Sequence, residues 1–129
     1  MNWAVYIIIN KVNGKGYVGI CCERVKTIHN RLADHISLAQ SGGRITRHGR
    51  PFPIYAAISK YGSENFSINY LDSNLELFEA QEREIELIEE HDTLANGRRS
   101  EGFNGNGYNL TKGGEEPDWD PDEYEHYYY

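Results

Sequence analysis

Three segments in the first seventy-one residues of the chain have the apolar patterns of β-strands. Residues 4–10 and 16–20 are rich in β-branched and aromatic side chains, which is typical of strands. Asn13-Gly14 lies between them and is a strong signal for a hairpin turn. Residues 66–71 alternate between apolar and polar positions. The pattern therefore predicts three strands, of which the first two form a hairpin.

Helical spacing appears in three other segments. Residues 28–40 carry one apolar stripe, formed by Ile28, Leu32, Ile36 and Ala39. Residues 54–61 are typical of a short helix that ends at Gly62, and a long helix is expected from about residue 74 to residue 92. Either Asp72 or Ser73 is a suitable cap for the long helix. These elements predict a small α+β domain: a three-stranded antiparallel β-sheet flanked by helices.

The remaining segments are expected to be loops or a tail. Residues 41–53 are rich in Gly, Arg and Pro, and residues 93–106 are rich in Gly and Asn, so both are predicted loops. We expect the domain to span residues 1–114. Residues 115–129 are acidic and rich in tyrosine, a composition typical of a solvated tail.

The hairpin places two tyrosines on one face of the sheet. A two-residue loop pairs Tyr17 with Asn10 and leaves Tyr6 roughly 13 Å away along the strand. A looser loop places Tyr17 directly opposite Tyr6. Both registers keep the two rings on the same face, whereas a three-residue loop would separate them. Core packing and a shared site are both open explanations of the pair.

One glutamate of the long helix has an unexpected phase. With about 100° per residue and Leu77 at zero, the apolar stripe formed by Phe78, Ala80, Ile85, Leu87 and Ile88 is centred near about 10°. Glu84 falls at about −20°, inside this stripe, whereas the other five glutamates after Leu77 lie beyond about 110°. A carboxylate there is costly to desolvate unless it is paired or bound to a metal. Glu84 is therefore either a structural ion-pair partner or a functional carboxylate.

The first helix also carries polar side chains beside its apolar stripe. Relative to Ile28, His35 falls at about −20° and Arg31 at about −60°, so the two are neighbours on one helix face. His35 is either a hydrogen-bonded, semi-buried histidine or a member of a site. Arg31 is either the structural partner of Glu84 or a phosphate ligand, because its planar guanidinium binds two oxygens at once.

Composition excludes several classes of protein. The length of 129 residues suits one domain plus a tail. No apolar run approaches the roughly 18 residues of a membrane span, and no secretory signal pattern is present, so we expect no membrane partner and a cytoplasmic location. Cys21 and Cys22 are adjacent, which fits neither a disulfide scaffold nor a zinc finger.

The formal net charge of −7 conceals a strong asymmetry along the chain. Residues 1–62 carry nine Lys and Arg against two acidic residues. Residues 63–114 carry four basic and eleven acidic residues, and residues 115–129 carry seven acidic residues without Lys or Arg. The first half is therefore basic enough to contact a phosphate backbone.

Six short segments occur in a fixed order between residues 4 and 114. They are Ala4-Val5-Tyr6, Tyr17-Val18-Gly19, Arg31-Leu32-Ala33-Asp34-His35, Lys60-Tyr61-Gly62-Ser63-Glu64-Asn65-Phe66, Glu84-Ile85-Glu86-Leu87-Ile88 and Gly107-Tyr108-Asn109-Leu110-Thr111-Lys112-Gly113-Gly114. Together they resemble the GIY-YIG nuclease superfamily, particularly the catalytic domains of phage-type homing endonucleases. The first triplet departs from the family pattern, with Ala-Val in place of Gly-Ile. The DNA-recognition modules that phage homing members usually append are not visible in this sequence.

The resemblance implies a metal-dependent DNA endonuclease. By resemblance, Tyr6 is the general base, Tyr17 orients the nucleophile or the phosphate, and Glu84 holds one Mg²⁺ or Mn²⁺ ion. Arg31 would bind the scissile phosphate, and His35 would either assist proton transfer or shift the local field. A free tyrosine has a pKa about three units too high for a base at neutral pH, a deficit of roughly 4 kcal/mol. The metal or Lys15 would supply part of it.

Candidate DNA-binding residues lie in the basic half and in the closing segment; they are Lys15, Arg44, Arg47, Arg50 and Asn109. By resemblance, Asn109 would also tether the closing segment beside the active site, and a turn role is equally open. Backbone contacts position DNA without reading its sequence. We therefore expect weak specificity for double-stranded DNA unless a partner protein or the loops supply it.

Other functions compatible with the same fold remain open. The chain would act as a catalytically quiet nucleic-acid-binding module if its site residues had no chemical role. The acidic tail, residues 115–129, would hold the nuclease off if it docked on the basic half. A single site cuts one strand at a time, so a double-strand break requires a homodimer or two visits.

Overall fold

A computed structural model describes residues 1–41, 52–95 and 107–110 of the chain. Its elements, in order, are β1 (Trp3–Asn10), β2 (Gly16–Cys22), α1 (Ile28–Gln40), α2 (Pro53–Tyr61), a 3₁₀ turn (Ser63–Asn65), β3 (Phe66–Leu75) and α3 (Leu77–His91). The three strands form one antiparallel sheet in the order β2-β1-β3. The α+β class and the three-stranded antiparallel sheet predicted from the sequence are therefore confirmed.

Helices cover both faces of the sheet. On the first face, Ala4, Tyr6 and Ile8 of the central strand pack in one apolar cluster with residues of α1 and α2. On the second face, Val5 and Ile7 pack with residues of α3. Because β1 is buried on both sides, its sequence is almost continuously apolar rather than alternating.

The β1–β2 hairpin has a register between the two that the sequence allowed. Ile8 pairs with Tyr17, and Tyr6 pairs with Gly19. The Gly14 N–H donates to the Asn10 carbonyl at 2.8 Å, and Gly14 adopts a φ of 78°, in the left-handed region that glycine tolerates. Both proposed loop lengths were wrong, but the prediction that the two rings share one face of the sheet is correct. Tyr6 and Tyr17 share a face as diagonal neighbours.

The first two helices begin and end close to the predicted residues. α1 spans residues 28–40 as expected, and the Thr27 hydroxyl caps it by accepting the Asn30 N–H at 3.3 Å. α2 begins at Pro53, whose missing N–H is harmless in the first turn. It ends at Tyr61 because Gly62 takes a φ of 92°.

The junction between β3 and α3 differs from the prediction. β3 continues to Leu75, where it still pairs with Trp3 after an irregularity in the register. α3 therefore starts at Leu77, and its cap is Glu76 instead of Asp72 or Ser73. Glu76 and Glu79 form a reciprocal capping box. Pairing with the central strand overrides the capping signal at residues 72 and 73.

Two further predictions depend on parts of the chain outside the described residues. The predicted loops lie mostly in residues 42–51 and 96–106, and the tail lies wholly in residues 111–129. The division into a domain of residues 1–114 and a tail of residues 115–129 thus stays a prediction. Among the described residues, no helix combines the length and apolarity needed to cross a bilayer.

Candidate active site

Two tyrosines form the floor of the candidate site on the first face of the sheet. Tyr6 lies on the central strand and is 1% exposed, whereas Tyr17 lies on the edge strand β2 and is partly buried. Their ring centroids are 6.4 Å apart. Gly19, opposite Tyr6, leaves space for this ring, because a Cβ there would lie 2.5 Å from the Tyr6 hydroxyl oxygen. The glycine of the Tyr17-Val18-Gly19 triplet is thus required by the tyrosine of the neighbouring strand.

His35 closes the site from the side of α1. Its side chain is 3% exposed, so it is more deeply buried than the sequence predicted. The His35 Nε2 atom lies 3.1 Å from the Tyr6 hydroxyl oxygen, within hydrogen-bond distance. The His35 ring also makes an edge contact with the Tyr17 ring, with 5.4 Å between centroids. The structure therefore brings both tyrosines and His35 into contact.

Arg31 reaches the same hydroxyl from the preceding turn of α1. Its guanidinium hydrogen-bonds Tyr6, and its charge also acts on Tyr17. Asp34 holds Arg31 from the other side, with 3.5 Å between Asp34 Oδ2 and Arg31 Nη1. The same carboxylate oxygen accepts a hydrogen bond from Lys26 Nζ at 2.7 Å. Two cations therefore share one carboxylate beside the tyrosines.

Burial makes both tyrosine hydroxyls harder to ionise than the sequence suggested. Desolvation raises the pKa of Tyr6 to about 12, although the nearby Arg31 guanidinium partly opposes the shift. Desolvation also raises the pKa of Tyr17 well above its usual value, with the Tyr6 and Tyr55 hydroxyls adding to it. At pH 7, ionising Tyr6 would cost about 7 kcal/mol. A base role for Tyr6 thus requires more assistance than the roughly 4 kcal/mol deficit of a free tyrosine.

Glu84 belongs to the helix on the opposite layer. The buried side chains of α3 are Ala80, Leu87 and Ile88, which span an arc from about −80° to about 20°. Phe78 and Ile85, expected in the apolar stripe, are 63% and 44% exposed, so that part of the prediction was wrong. The buried arc of α3 is therefore narrower than the predicted apolar stripe, and the centre of the arc lies close to the angular position of Glu84.

The Glu84 carboxylate acts on the site from the edge of the sheet. Glu84 is partly buried, and its charge contributes to the raised pKa of Tyr17. β2 is an edge strand and α3 packs against it, so a side chain of the opposite layer lies near Tyr17. The cluster around Tyr6 and Tyr17 thus receives a cation from α1 and an anion from α3.

The donor set available to a metal is small. Across residues 1–41, 52–95 and 107–110, no three His, Cys, Asp or Glu side chains group closely enough to hold a metal by themselves. A single carboxylate is compatible with Mg²⁺, which keeps several of its waters and takes remaining ligands from substrate phosphates. Glu84, a hard oxygen donor at the edge of the site, fits such an ion.

Asn109 fastens the closing segment to the outer edge of β2. Its side-chain oxygen accepts the Val18 N–H at 2.8 Å, and its side-chain nitrogen donates to the Val18 carbonyl at 2.8 Å. The Thr93 hydroxyl donates to the same amide oxygen at 2.7 Å. Asn109 is 6% exposed, so its geometry is that of the tether that the resemblance implied. A direct contact between Asn109 and DNA stays a prediction.

The other candidate DNA-binding residues are placed only in part. Lys15 is partly exposed at the start of β2, where its N–H donates to the Asn13 side chain at 2.9 Å. Arg44, Arg47 and Arg50 lie outside the described residues. Their contact with DNA therefore stays a prediction.

Sequence analysis missed Tyr55, which belongs to the same aromatic cluster. It is 7% exposed on α2, and its ring centroid lies 5.6 Å from that of His35. Tyr55 lies three positions before Ile58 in the helix, a spacing that also fits simple core packing. The contact between Tyr55 and His35 forms only because α1 and α2 pack against each other, which the sequence does not reveal.

Comparisons with known proteins agree with this fold. A family model described as the GIY-YIG catalytic domain matches residues 2–100. Two solved structures are similar to this chain, both of the catalytic domain of the intron or homing endonuclease I-TevI, one of them a point mutant. The mutant structure has a TM-score of 0.63 and 22% identity and covers 87% of this chain and 96% of its own. The other has a TM-score of 0.61 and 22% identity and covers 84% and 98%.

No curated protein matches the chain. At 22% identity the likeness to the two solved structures bears on the fold alone. The family match extends over more than half of the sequence and includes Tyr6, Tyr17, Arg31, His35 and Glu84. The chain therefore belongs to the GIY-YIG family of nuclease domains.

Proposed function

We propose that this chain is a metal-dependent endonuclease that hydrolyses phosphodiester bonds of double-stranded DNA. Membership of the GIY-YIG family implies endonuclease activity on a nucleic acid. One observation supports the more specific assignment. A buried tyrosine hydroxyl, that of Tyr6, lies between a guanidinium and an imidazole, the groups that phosphate binding and proton transfer require.

Each polar group of the cluster has a role in hydrolysis. Arg31 binds the non-bridging oxygens of the scissile phosphate and neutralises charge that develops on them. Tyr6 accepts a proton from the attacking water while His35 Nε2, at 3.1 Å, accepts the proton of the Tyr6 hydroxyl. This concerted transfer avoids a free phenolate, which burial makes costly. Tyr17 orients the water or the phosphate.

Glu84 would hold one divalent cation, Mg²⁺ or Mn²⁺, per active site. The ion, when bound, supplies Lewis-acid stabilisation of the phosphate and of the leaving oxygen. Glu84 lies on α3, which packs on the face of the sheet opposite to α1 and Arg31, and its charge acts on Tyr17. The site therefore has a cation, Arg31, for the phosphate and an anion, Glu84, for the divalent ion.

Cleavage of supercoiled plasmid, titrated with Mg²⁺ and with Mn²⁺, tests this function. The wild type should nick the plasmid, and Tyr6→Phe, Arg31→Ala and Glu84→Ala should each lose about a hundredfold or more of the single-turnover rate. Glu82→Ala is a matched control, since Glu82 is exposed on the same helix. Binding without cleavage by the wild type would instead identify a catalytically quiet nucleic-acid-binding module.

The same assay identifies the nucleic-acid substrate and any protein partner. RNA and single-stranded DNA serve as competing substrates, and a preference for either would contradict the double-stranded DNA assignment. We place the activity in the cytoplasm, which for a phage-encoded nuclease is that of the host. Linear product that appears without a nicked precursor would indicate a homodimer, and dependence on a second protein would indicate a targeting partner.

A further inference from the structure

α2 contributes an aromatic residue to the site although it carries none of the residues that the family resemblance assigned. Tyr55 lies in the first turn of α2, two residues after Pro53. Its ring is stacked on that of Phe52, with 5.9 Å between centroids and 15° between planes. Tyr55 is 7% exposed, so the packing of α2 limits the positions that its ring can adopt.

The rings of Tyr55 and Tyr17 both lie against the His35 imidazole. The Tyr55 centroid is 5.6 Å from that of His35 at an interplanar angle of 34°, and the Tyr17 centroid is 5.4 Å away at 67°. A histidine ring rotates about a broad sp³–sp² torsion, so the helix backbone alone does not fix the direction of its nitrogens. Contacts with neighbouring rings supply that restriction.

We propose that Tyr55 is a positioning residue of the active site, which keeps the His35 imidazole turned so that Nε2 faces the Tyr6 hydroxyl. The hydroxyls of Tyr55, Tyr6 and Tyr17 are close enough to affect each other's ionisation, which places Tyr55 in the same cluster. The proposal rests on the proposed function in one respect, the use of the Tyr6–His35 contact in catalysis. Tyr55 acts through His35 and does not touch the reacting phosphate.

A double-mutant cycle in cleavage measures the coupling. Tyr55→Leu removes the ring but keeps an apolar side chain, and we expect a loss of about tenfold or more in the single-turnover rate with DNA affinity unchanged. Tyr55→Phe keeps the ring and should recover most of this loss. In a His35→Ala background, Tyr55→Leu should have less than about a twofold effect, because there is no imidazole left to position.

Ile58→Ala provides the control for destabilisation of α2. Ile58 is 3% exposed in the same apolar cluster, so its truncation weakens packing without removing a ring beside His35. Its cleavage rate should equal that of the wild type well below the unfolding temperature. Equal losses from Tyr55→Leu in both His35 backgrounds would overturn the proposal, because they would show that Tyr55 does not act through His35.

A spectroscopic measurement on the DNA-free protein separates this proposal from the proposed function. Long-range ¹⁵N–¹H correlations report the state of the His35 Nε2 atom. Tyr55→Leu and Tyr6→Phe should each shift or broaden that signal, whereas Tyr55→Phe and Ile58→Ala should leave it in place. An unchanged His35 signal in Tyr55→Leu would refute the positioning role. Absence of cleavage by the wild type would refute the function, while the His35 signal would still decide the geometry.

Discussion

Replacing Asn109 with alanine removes the side chain that holds the closing segment on β2. Three hydrogen bonds of 2.7–2.8 Å are lost, two with the backbone of Val18 and one with the Thr93 hydroxyl. Val18 is fully buried, so its N–H and carbonyl groups would lose their partner in a region shielded from water. Other contacts of the segment remain, including the Tyr108 N–H bond to the Gly16 carbonyl at 2.8 Å.

The expected loss of stability follows from these two backbone groups. A buried donor or acceptor left without a partner costs about 1–3 kcal/mol. The two groups of Val18 therefore predict a decrease of about 2–6 kcal/mol in the free energy of unfolding. Since small domains have about 5–15 kcal/mol in total, this one substitution would remove a large fraction of the stability.

Urea unfolding followed by far-ultraviolet circular dichroism measures this change. With an m-value of about 1.5 kcal/mol/M, a decrease of about 3 kcal/mol lowers the midpoint by about 2 M. Asn69→Ala is the matched control, because Asn69 is exposed on β3 and should change the free energy by less than about 0.5 kcal/mol. A loss below about 1 kcal/mol for Asn109→Ala would refute the tether argument.

Three further predictions concern the site. Gly19→Ala places a Cβ 2.5 Å from the Tyr6 hydroxyl oxygen, so we expect a destabilisation of about 1–3 kcal/mol and a lower cleavage rate. A variant as stable and as active as the wild type would contradict this close approach. The pKa of Tyr6 is about 12, so a mechanism through a free phenolate would make the single-turnover rate rise about tenfold per pH unit from pH 6 to pH 9. Concerted transfer to His35 forms no free phenolate, so we expect the rate to level off below pH 9, and a continued tenfold rise per unit up to pH 9 would contradict the concerted transfer. Asp34→Asn removes the charge that holds Arg31, so the cleavage rate should fall about fivefold while DNA affinity in a filter-binding assay stays unchanged. Weaker DNA binding would contradict the positioning of Arg31 by Asp34.

Local patterns were sufficient wherever short-range physics decides the structure. α1 has the predicted boundaries because its capping threonine and apolar stripe act within a few residues. The shared face of Tyr6 and Tyr17 follows from the twofold alternation of strands and holds in the observed register as well. Helix phase also singled out Glu84, since the buried arc of α3 surrounds its position.

Predictions that depended on distant segments were incomplete. The hairpin loop length was predicted wrongly, and it determines how close the two tyrosines lie. The junction at residues 72–76 was misplaced because strand pairing with β1 outweighed a local cap.

The sequence by itself determined the elements, the faces on which they carry chemistry, and the family, because alternation, helix phase and short motifs are properties of neighbouring residues. Only the tertiary structure decided how readily Tyr6 ionises, which rings lie against His35 and which side chain bonds the outer edge of β2. Those properties depend on desolvation and on contacts between residues far apart in the chain, such as His35 with Tyr55 and Val18 with Asn109, and no local pattern encodes them.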